Sequence, residues 1–147
     1  MLTQLVYIST PLPEYMNEVT ASFPKNQIKN RDCGVTGMIL SHRHFYLQLL
    51  EGDRCTINKI YNKIVRDTRH ANVVLLRYQE VLHAQITDCC YAVVNENSTN
   101  EFEYIADIID GSINFEMELA GATAMGLLRR AAAIVLANSI PQCGCVA

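Results

Sequence analysis

Two polar side chains lie in segments whose apolar pattern predicts burial. Tyr7 belongs to the alternating, β-prone run 2–9, and Gln48 lies in the apolar run 45–51. A buried amide costs free energy unless its donors and acceptor find partners. If the two runs form neighbouring strands, the Tyr7 hydroxyl and the Gln48 amide meet in the core. The pattern alone favours the interpretation that the two side chains only satisfy each other's hydrogen bonds in the core. The alternative is that they contact a ligand.

Further polar residues follow the two predicted helices of this region. Asn30 stands just before Gly34-Val35-Thr36-Gly37, where it either ends a helix or offers its amide to a ligand carbonyl and ring nitrogen. The polar segment 67–70 follows the second helix and by itself indicates a loop. Lys63 precedes Asp67 by four residues, a spacing that allows an ion pair worth only roughly 0.2–0.5 kcal/mol.

The elements that must position these residues follow from hydrophobic spacing. Strands are predicted at 2–9, 34–41, 45–51, 73–82 and 86–94, and helices at 14–29 and 54–66. Pro24 predicts a break in the first helix. The order βαββαββ indicates an α+β, ferredoxin-like sandwich with the first and third strands side by side.

The chain beyond residue 95 has a different composition. The spacing of Ser98 and Glu101 is that of a capping box and predicts a helix to about Asp110, followed by an alanine-rich helix from near Phe115 to Ala137. Six apolar residues give these helices a face for the open side of the sheet or another subunit: Met117, Leu119, Leu127, Leu128, Ile134 and Leu136. We therefore predict a domain at 1–95, a helical extension at 96–138 and a flexible tail at 139–147.

Composition narrows the function classes. The chain has 147 residues, half of them apolar, and 12 basic against 15 acidic residues, with no basic block that would indicate a nucleic-acid partner. The N-terminus lacks the features of a signal peptide, and no apolar run approaches the ~18 residues of a membrane span. We expect a soluble, cytoplasmic protein.

Neither a metal site nor an enzyme motif is predicted. The six cysteines are expected to be reduced thiols, and Cys143-Gly144-Cys145 supplies only two close ligands with no histidine nearby. The segment from Gly34 to Gly37 is too short for a phosphate-binding loop, and no nucleophile elbow occurs. Cys89 and Cys90 lie inside a predicted strand, which argues against a lowered thiol pKa.

Four motifs follow one another in a set order through residues 2–94. They are Leu5-Val6-Tyr7-Ile8-Ser9, the run from Asn30 to Leu40, the run from Tyr46 to Gly52, and the run from Lys63 to His70. Each is weak alone, but the ordered set resembles the BLUF domains. That resemblance implies a ferredoxin-like fold that holds FAD between its two helices.

The resemblance also implies roles for individual residues. Tyr7 and Gln48 would be the photoactive pair: blue light excites the flavin, an electron and a proton move from the tyrosine, and the glutamine amide rearranges. The flavin spectrum then shifts slightly and reversibly to the red. Six further residues are implied in holding the ring, its edge and the chain toward the phosphates: Asn30, Lys63, Ile64, Asp67, Arg69 and His70. FMN is the alternative cofactor, since most contacts are to the shared ring.

The last strand departs from the family pattern Arg-x-Phe-x-x-Trp-x-Met. Cys89 stands at the tryptophan position and Tyr91 at the methionine position, and the chain has no tryptophan. In the family these positions lie near the switching glutamine. We therefore expect photochemistry to survive while recovery rate and output are unusual. Pro24 is a second departure, because it falls in the helix expected to cover one flavin face.

The sequence thus predicts a blue-light photoreceptor that is not itself an enzyme. About fifty residues follow the core, too few for a cyclase or phosphodiesterase, so output should pass through a downstream protein partner or a change in a homo-oligomer. The alternatives are a light-blind relative that keeps flavin as a structural element and a ferredoxin-like module that binds something else. A small-molecule enzyme on the same scaffold is a third alternative.

Overall fold

A computed structural model describes the backbone of residues 1–95, 100–114 and 121–146, and side chains over 1–95, 101–111 and 121–138. The strands are β1 (Leu2–Pro11), β2 (Thr36–His42), β3 (Phe45–Gly52), β4 (His70–Val81) and β5 (Cys89–Val93). The helices are α1 (Met16–Ala21), α2 (Phe23–Asp32), α3 (Arg54–Arg66), α4 (Asn100–Asn114) and α5 (Gly121–Val146).

The five strands form one mixed sheet in the order β4-β1-β3-β2-β5. β1 pairs antiparallel with both β3 and β4, β2 pairs antiparallel with β3, and β5 pairs parallel with β2. The predicted α+β, ferredoxin-like arrangement is therefore confirmed, including the contact between the first and third strands.

The predicted break in the first helix is confirmed and falls at Ser22, between α1 and α2. Pro24 lies in the first turn of α2, where its missing N–H would have had no helical partner in any case. The proline therefore starts a second helix instead of kinking one long helix.

α3 has the boundaries that the apolar spacing predicts. Its N-terminus is capped by Asp53, whose Oδ2 accepts a hydrogen bond of 3.2 Å from the Thr56 N–H. Ile57 is fully buried against the sheet, with Ile60, Tyr61 and Ile64 packed beside it. This face of α3 covers the part of β1 that contains Tyr7.

β5 begins later than predicted, at Cys89 instead of residue 86. The segment before it forms no ladder because the buried Glu51 carboxylate binds it: Glu51 accepts hydrogen bonds from the Gln85 and Ile86 N–H groups. Glu51 also accepts from Gln4 Nε2 at 3.1 Å, so the same carboxylate ties this segment to β1. The side-chain acceptor replaces a strand partner for these amides.

The C-terminal helices pack on the sheet face opposite α2 and α3. Ile105 and Ile109 of α4 and Leu128 of α5 are fully buried in one cluster with the β3 residues Leu47 and Leu49. Leu127, Ile134 and Leu136 pack at the border of this cluster. The apolar faces of α4 and α5 were expected to pack either on the open side of the sheet or against another subunit, and the described residues pack on the sheet. Met117 and Leu119 lie outside the described residues, as do Ser98 and Phe115.

The tail predicted to be loose from Ser139 is helical up to Val146, because α5 continues through it. Extending an existing helix costs less than starting a new one, so the alanine-rich segment carries the helix past its expected end at Ala137. No helix within the described ranges is long and apolar enough to cross a membrane.

Candidate functional site

A cavity of about 690 Å³ opens between the sheet and helices α2 and α3. Its volume lies within the range of small-molecule and cofactor sites, roughly 300–1,000 Å³. All eight residues that the sequence assigned to a site line this cavity: Tyr7, Asn30, Gln48, Lys63, Ile64, Asp67, Arg69 and His70. The fold thus brings together residues separated by up to 63 positions in the chain (from 7 to 70).

The centre of the cavity is the contact between Tyr7 and Gln48. These residues lie directly opposite each other on β1 and β3, so their side chains point to the same face. The Tyr7 hydroxyl donates to Gln48 Oε1 over 2.5 Å, which is at the short end of hydrogen-bond lengths. Tyr7 is 3% exposed, whereas Gln48 is only partly buried because it opens onto the cavity.

The surroundings keep the Tyr7 proton in place. Burial raises the pKa of the Tyr7 hydroxyl far above its ordinary value, and the neighbouring Tyr61, Asp67 and Tyr46 raise it further. The Gln48 carbonyl is engaged by this proton, which leaves the two amide N–H donors of Gln48 for other partners. An amide in this position presents hydrogen-bond donors to whatever fills the cavity.

Two buried hydroxyls that line the cavity, those of Tyr46 and Thr36, have no hydrogen-bond partner in the described part of the chain. Tyr46 stands on the same face of β3 as Gln48 and is 2% exposed, and its Oη has no hydrogen bond within the described part of the chain. Unpaired buried polar atoms are rare in native proteins and call for an explanation. A ligand with polar atoms in the cavity would supply the missing partner. Tyr46 is not among the site residues predicted from the sequence, although its position two residues before Gln48 places it on the same face of the strand.

His70 and Asp67 form an ordered polar wall. His70 Nδ1 lies 2.7 Å from Ser9 Oγ and Nε2 lies 2.6 Å from the Ile64 carbonyl oxygen, so both ring nitrogens have partners. Of the partners within reach of Asp67, the carboxylate binds Arg69 and not Lys63, with a shortest N–O distance of 2.7 Å. The planar guanidinium engages both carboxylate oxygens, which an ammonium group does less well.

This pairing sets the charge state of the wall. The hydrogen bond from Arg69 lowers the pKa of the Asp67 carboxyl, and the same contact raises the pKa of Arg69. Lys29 and Lys63 also line the cavity and are exposed. The rim therefore carries cationic groups that suit a ligand with phosphates, and the interior presents neutral donors and acceptors.

Asn30 lies near the end of α2, with its backbone in the turn that follows and its side chain at the cavity. Its backbone carbonyl accepts from the Val35 N–H at 2.8 Å and so closes the turn into β2. Its partly buried side chain lines the cavity, as the ligand-binding interpretation requires.

Cys89 and Tyr91 border the cavity at the start of β5. The Cys89 thiol donates to the Val35 carbonyl over 2.9 Å, and Gln27 Nε2 of α2 donates to the Cys89 carbonyl. The Tyr91 ring lies 5.8 Å from that of Phe23. Burial raises the pKa of the Cys89 thiol, as expected for cysteines within a strand, and likewise raises the pKa of Cys90 to about 11.

The fold and cavity define an α+β domain with a cavity of cofactor size and a tyrosine–glutamine pair at the centre of that cavity. Residues 2–91 match the family model of BLUF, the sensors of blue-light using FAD. The chain belongs to the BLUF family. This is a family of sensors and not of enzymes, in agreement with the prediction from the sequence.

Solved structures with the same fold include a protein of similar length and longer proteins in which the fold is only one part. BlrB, a BLUF protein in its dark state, is 22% identical with a TM-score of 0.70, and the alignment covers 90% of this chain and 96% of BlrB. A bacterial light-regulated adenylyl cyclase is 27% identical with a TM-score of 0.68, over 78% of this chain and 35% of the cyclase. This chain therefore spans about a third of that protein's length.

A third structure is BlrP1 from Klebsiella pneumoniae, described with FMN and cyclic diGMP. It is 23% identical with a TM-score of 0.62, over 75% of this chain and 30% of BlrP1. No curated protein matches the chain by sequence.

Proposed function

We propose that this protein is a blue-light photoreceptor that binds FAD in the cavity and responds to light through Tyr7 and Gln48. The observation that carries the proposal is the 2.5 Å hydrogen bond from the buried Tyr7 hydroxyl to Gln48 at the cavity centre. A purely structural pair would have no need of a 690 Å³ cavity beside it.

The lining divides into parts suited to different parts of the cofactor. Asn30 and Gln48 would hydrogen-bond the polar edge of the ring, and the unpaired Tyr46 hydroxyl fits a further polar atom there. Lys63 and Arg69 would face the phosphates, with Ile64 against the apolar part and Asp67 and His70 completing the wall. FAD is preferred because the family uses it, and FMN is the alternative that the description of BlrP1 supports.

Bound flavin supplies the absorption of blue light and an acceptor for one electron. Tyr7 gives up an electron and its hydroxyl proton, and Gln48 Oε1 is the atom placed to take that proton. When electron and proton return to Tyr7, the Gln48 amide stays rearranged, so its donors and acceptor face new partners. The cycle leaves no net oxidation. Because Tyr7 is buried beside this amide, exchanging one donor for one acceptor changes the local field strongly.

Output would leave the cavity through the sheet. Gln48 on β3 lies opposite Ile39 on β2, and Ile39 lies opposite Tyr91 on β5, so these side chains form one row on the cavity face. We propose that a rearranged Gln48 alters the packing of this row and that a protein partner or a change of oligomeric state reads it. The light-regulated cyclase, in which the homologous fold is about a third of a larger chain, supports an effector outside the sensor.

A light-blind flavoprotein is the second candidate. It is favoured by Cys89 and Tyr91, which replace the tryptophan and methionine that this family usually has. In that case the same cavity would hold flavin without a response to light.

The visible spectrum of the purified protein, in darkness and under blue light, tests the proposal. A yellow protein whose flavin bands shift to the red and relax back in the dark is the expected result. Flavin binding without a shift would support the light-blind candidate. A colourless preparation that takes up neither FAD nor FMN would refute both.

A further inference from the structure

The turn between β2 and β3 brings two histidines against a carboxylate of α4. One ring nitrogen each of His42 and His44 and one carboxylate oxygen of Asp110 lie within 4.8 Å of one another. These residues stand on the far side of the sheet from the ring contacts of the cavity, and none of them lines it. The proposed photochemistry gives them no role.

The geometry is close to that of a bound divalent transition metal. His44 Nδ1 lies 2.9 Å from Asp110 Oδ1, and two ligands of a tetrahedral zinc ion stand about 3.3 Å apart. The widest separation, 4.8 Å, would need to close by about 1.5 Å. His44 is half exposed on the turn, so this movement needs no repacking of the core.

Local contacts prepare the rings for this role. The His42 ring stacks on Phe45 with centroids 4.8 Å apart, which fixes its orientation. His42 Nδ1 accepts a hydrogen bond of 3.1 Å from the His44 backbone N–H, which ties the His42 ring to the turn that carries His44.

We propose that His42, His44 and Asp110 form a binding site for a zinc-like divalent ion, with water completing the coordination. Two imidazoles and one carboxylate are ligands of borderline softness, and three protein ligands plus water is a common zinc arrangement. The ligands come from the hairpin that carries Gln48 and from α4. An ion held here would fasten the C-terminal helices to the sensor sheet.

Zinc titration by calorimetry tests the proposal on the full chain with its accessible thiols alkylated, since cysteines also bind zinc. Wild type should bind one Zn²⁺ per chain. His44→Ala and Asp110→Asn should each weaken binding at least about tenfold, because even outer-sphere partners of metal ligands contribute 10–100-fold. His83→Ala is the matched control, because His83 is exposed and remote from the site, and it should bind as wild type does.

A second readout separates binding at this site from binding elsewhere. Zinc should raise the melting temperature of wild type and of His83→Ala, and should not raise that of the two ligand variants. In EDTA each of the four proteins should still melt in one cooperative transition, which shows that the variants are folded. The proposal is overturned by the absence of saturable binding in wild type, or by zinc binding that both ligand variants retain unchanged.

Discussion

Replacing Tyr7 by phenylalanine separates the structural role of this residue from its proposed role in light sensing. The change removes one hydroxyl and keeps the ring, which packs among Leu5, Leu50 and Ile57, so no large cavity forms. Gln48 Oε1 loses the donor at 2.5 Å and is left partly buried. Losing one partner of such a pair costs about 1–3 kcal/mol, and access to the cavity should keep the loss near the lower end.

The proposed function predicts a far larger effect on the light response. Tyr7→Phe should bind flavin and show no red shift, because the side chain that gives up the electron and proton has lost its hydroxyl. The assay is the difference spectrum under blue light, together with a urea midpoint for stability. Tyr61→Phe is the matched control: its ring centroid is 6.0 Å from that of Tyr7, and it should retain the shift.

Two results would refute this reasoning. A normal photocycle in Tyr7→Phe would remove Tyr7 from the mechanism. A cycle abolished equally in both variants would show that any nearby hydroxyl matters and that the contact with Gln48 is not special. An apoprotein from Tyr7→Phe that no longer takes up flavin would instead assign the hydroxyl to cofactor binding.

Three further substitutions test the fold, the polar wall and the ring contacts. Gly37→Ala should fail to fold stably, because a Cβ there would lie 2.0 Å from a backbone carbonyl oxygen of β3. Gly111 lies in α4 with open space around it, so Gly111→Ala should raise the free energy of unfolding by about 1 kcal/mol in a urea melt. Asp67→Asn should lower the urea midpoint at pH 7. The difference from wild type should shrink as the pH falls below the ordinary pKa of an aspartate, because Arg69 lowers the pKa of Asp67 and the stabilising contribution is lost as the pH falls through that lowered pKa. A difference that is constant with pH contradicts this. Asn30→Ala should weaken flavin retention in a dialysis assay while leaving the urea midpoint of the apoprotein nearly unchanged, and unaltered retention would exclude its amide from the site.

The parts of the site that follow from short-range pattern were predictable from the sequence. The alternation around Tyr7 and the apolar run around Gln48 predict two strands, and the element order makes those strands neighbours. Short-range pattern does not determine the strand register that places Tyr7 directly opposite Gln48, because register depends on how the whole sheet pairs. The pairing of these two residues was instead implied by the resemblance to the family. Pro24 likewise predicts the helix break, because its effect on the backbone is local.

Other features depend on distances that a sequence pattern does not contain. His44 and Asp110 are 66 residues apart, and their contact exists only because α4 packs below the β2–β3 turn. The choice of Asp67 between Lys63 and Arg69 depends on side-chain geometry beyond the end of α3, where helical spacing no longer applies. The later start of β5 has the same origin, since a buried carboxylate from another strand binds the amides that precede it.

The replaced tryptophan and methionine leave open how a change at Gln48 travels, and the contacts around β5 indicate a route. Cys89 is held on three sides: its thiol by Val35, its N–H by the Asp88 carboxylate and its carbonyl by Gln27. Arg31 of α2 binds the same Asp88 carboxylate at 2.8 Å. The start of β5 is thus tied to the helix that carries the proposed ring ligand, and the Gln48 row ends on the same strand.

The opposite face of β5 then meets the C-terminal helices. Cys90 and Val94 are buried in the cluster that contains Leu128 of α5 and Ile109 of α4. A displacement of β5 from the cavity side therefore changes contacts with both helices, because close-packed cores move as units and do not absorb shifts locally. This route uses backbone ties and strand pairing and requires no indole or thioether at positions 89 and 91. Gln27→Leu should then leave the spectral shift intact and reduce any light-dependent change in α4 and α5, measured by amide hydrogen exchange. Unchanged exchange differences in that variant would show that the signal leaves Gln48 by another path.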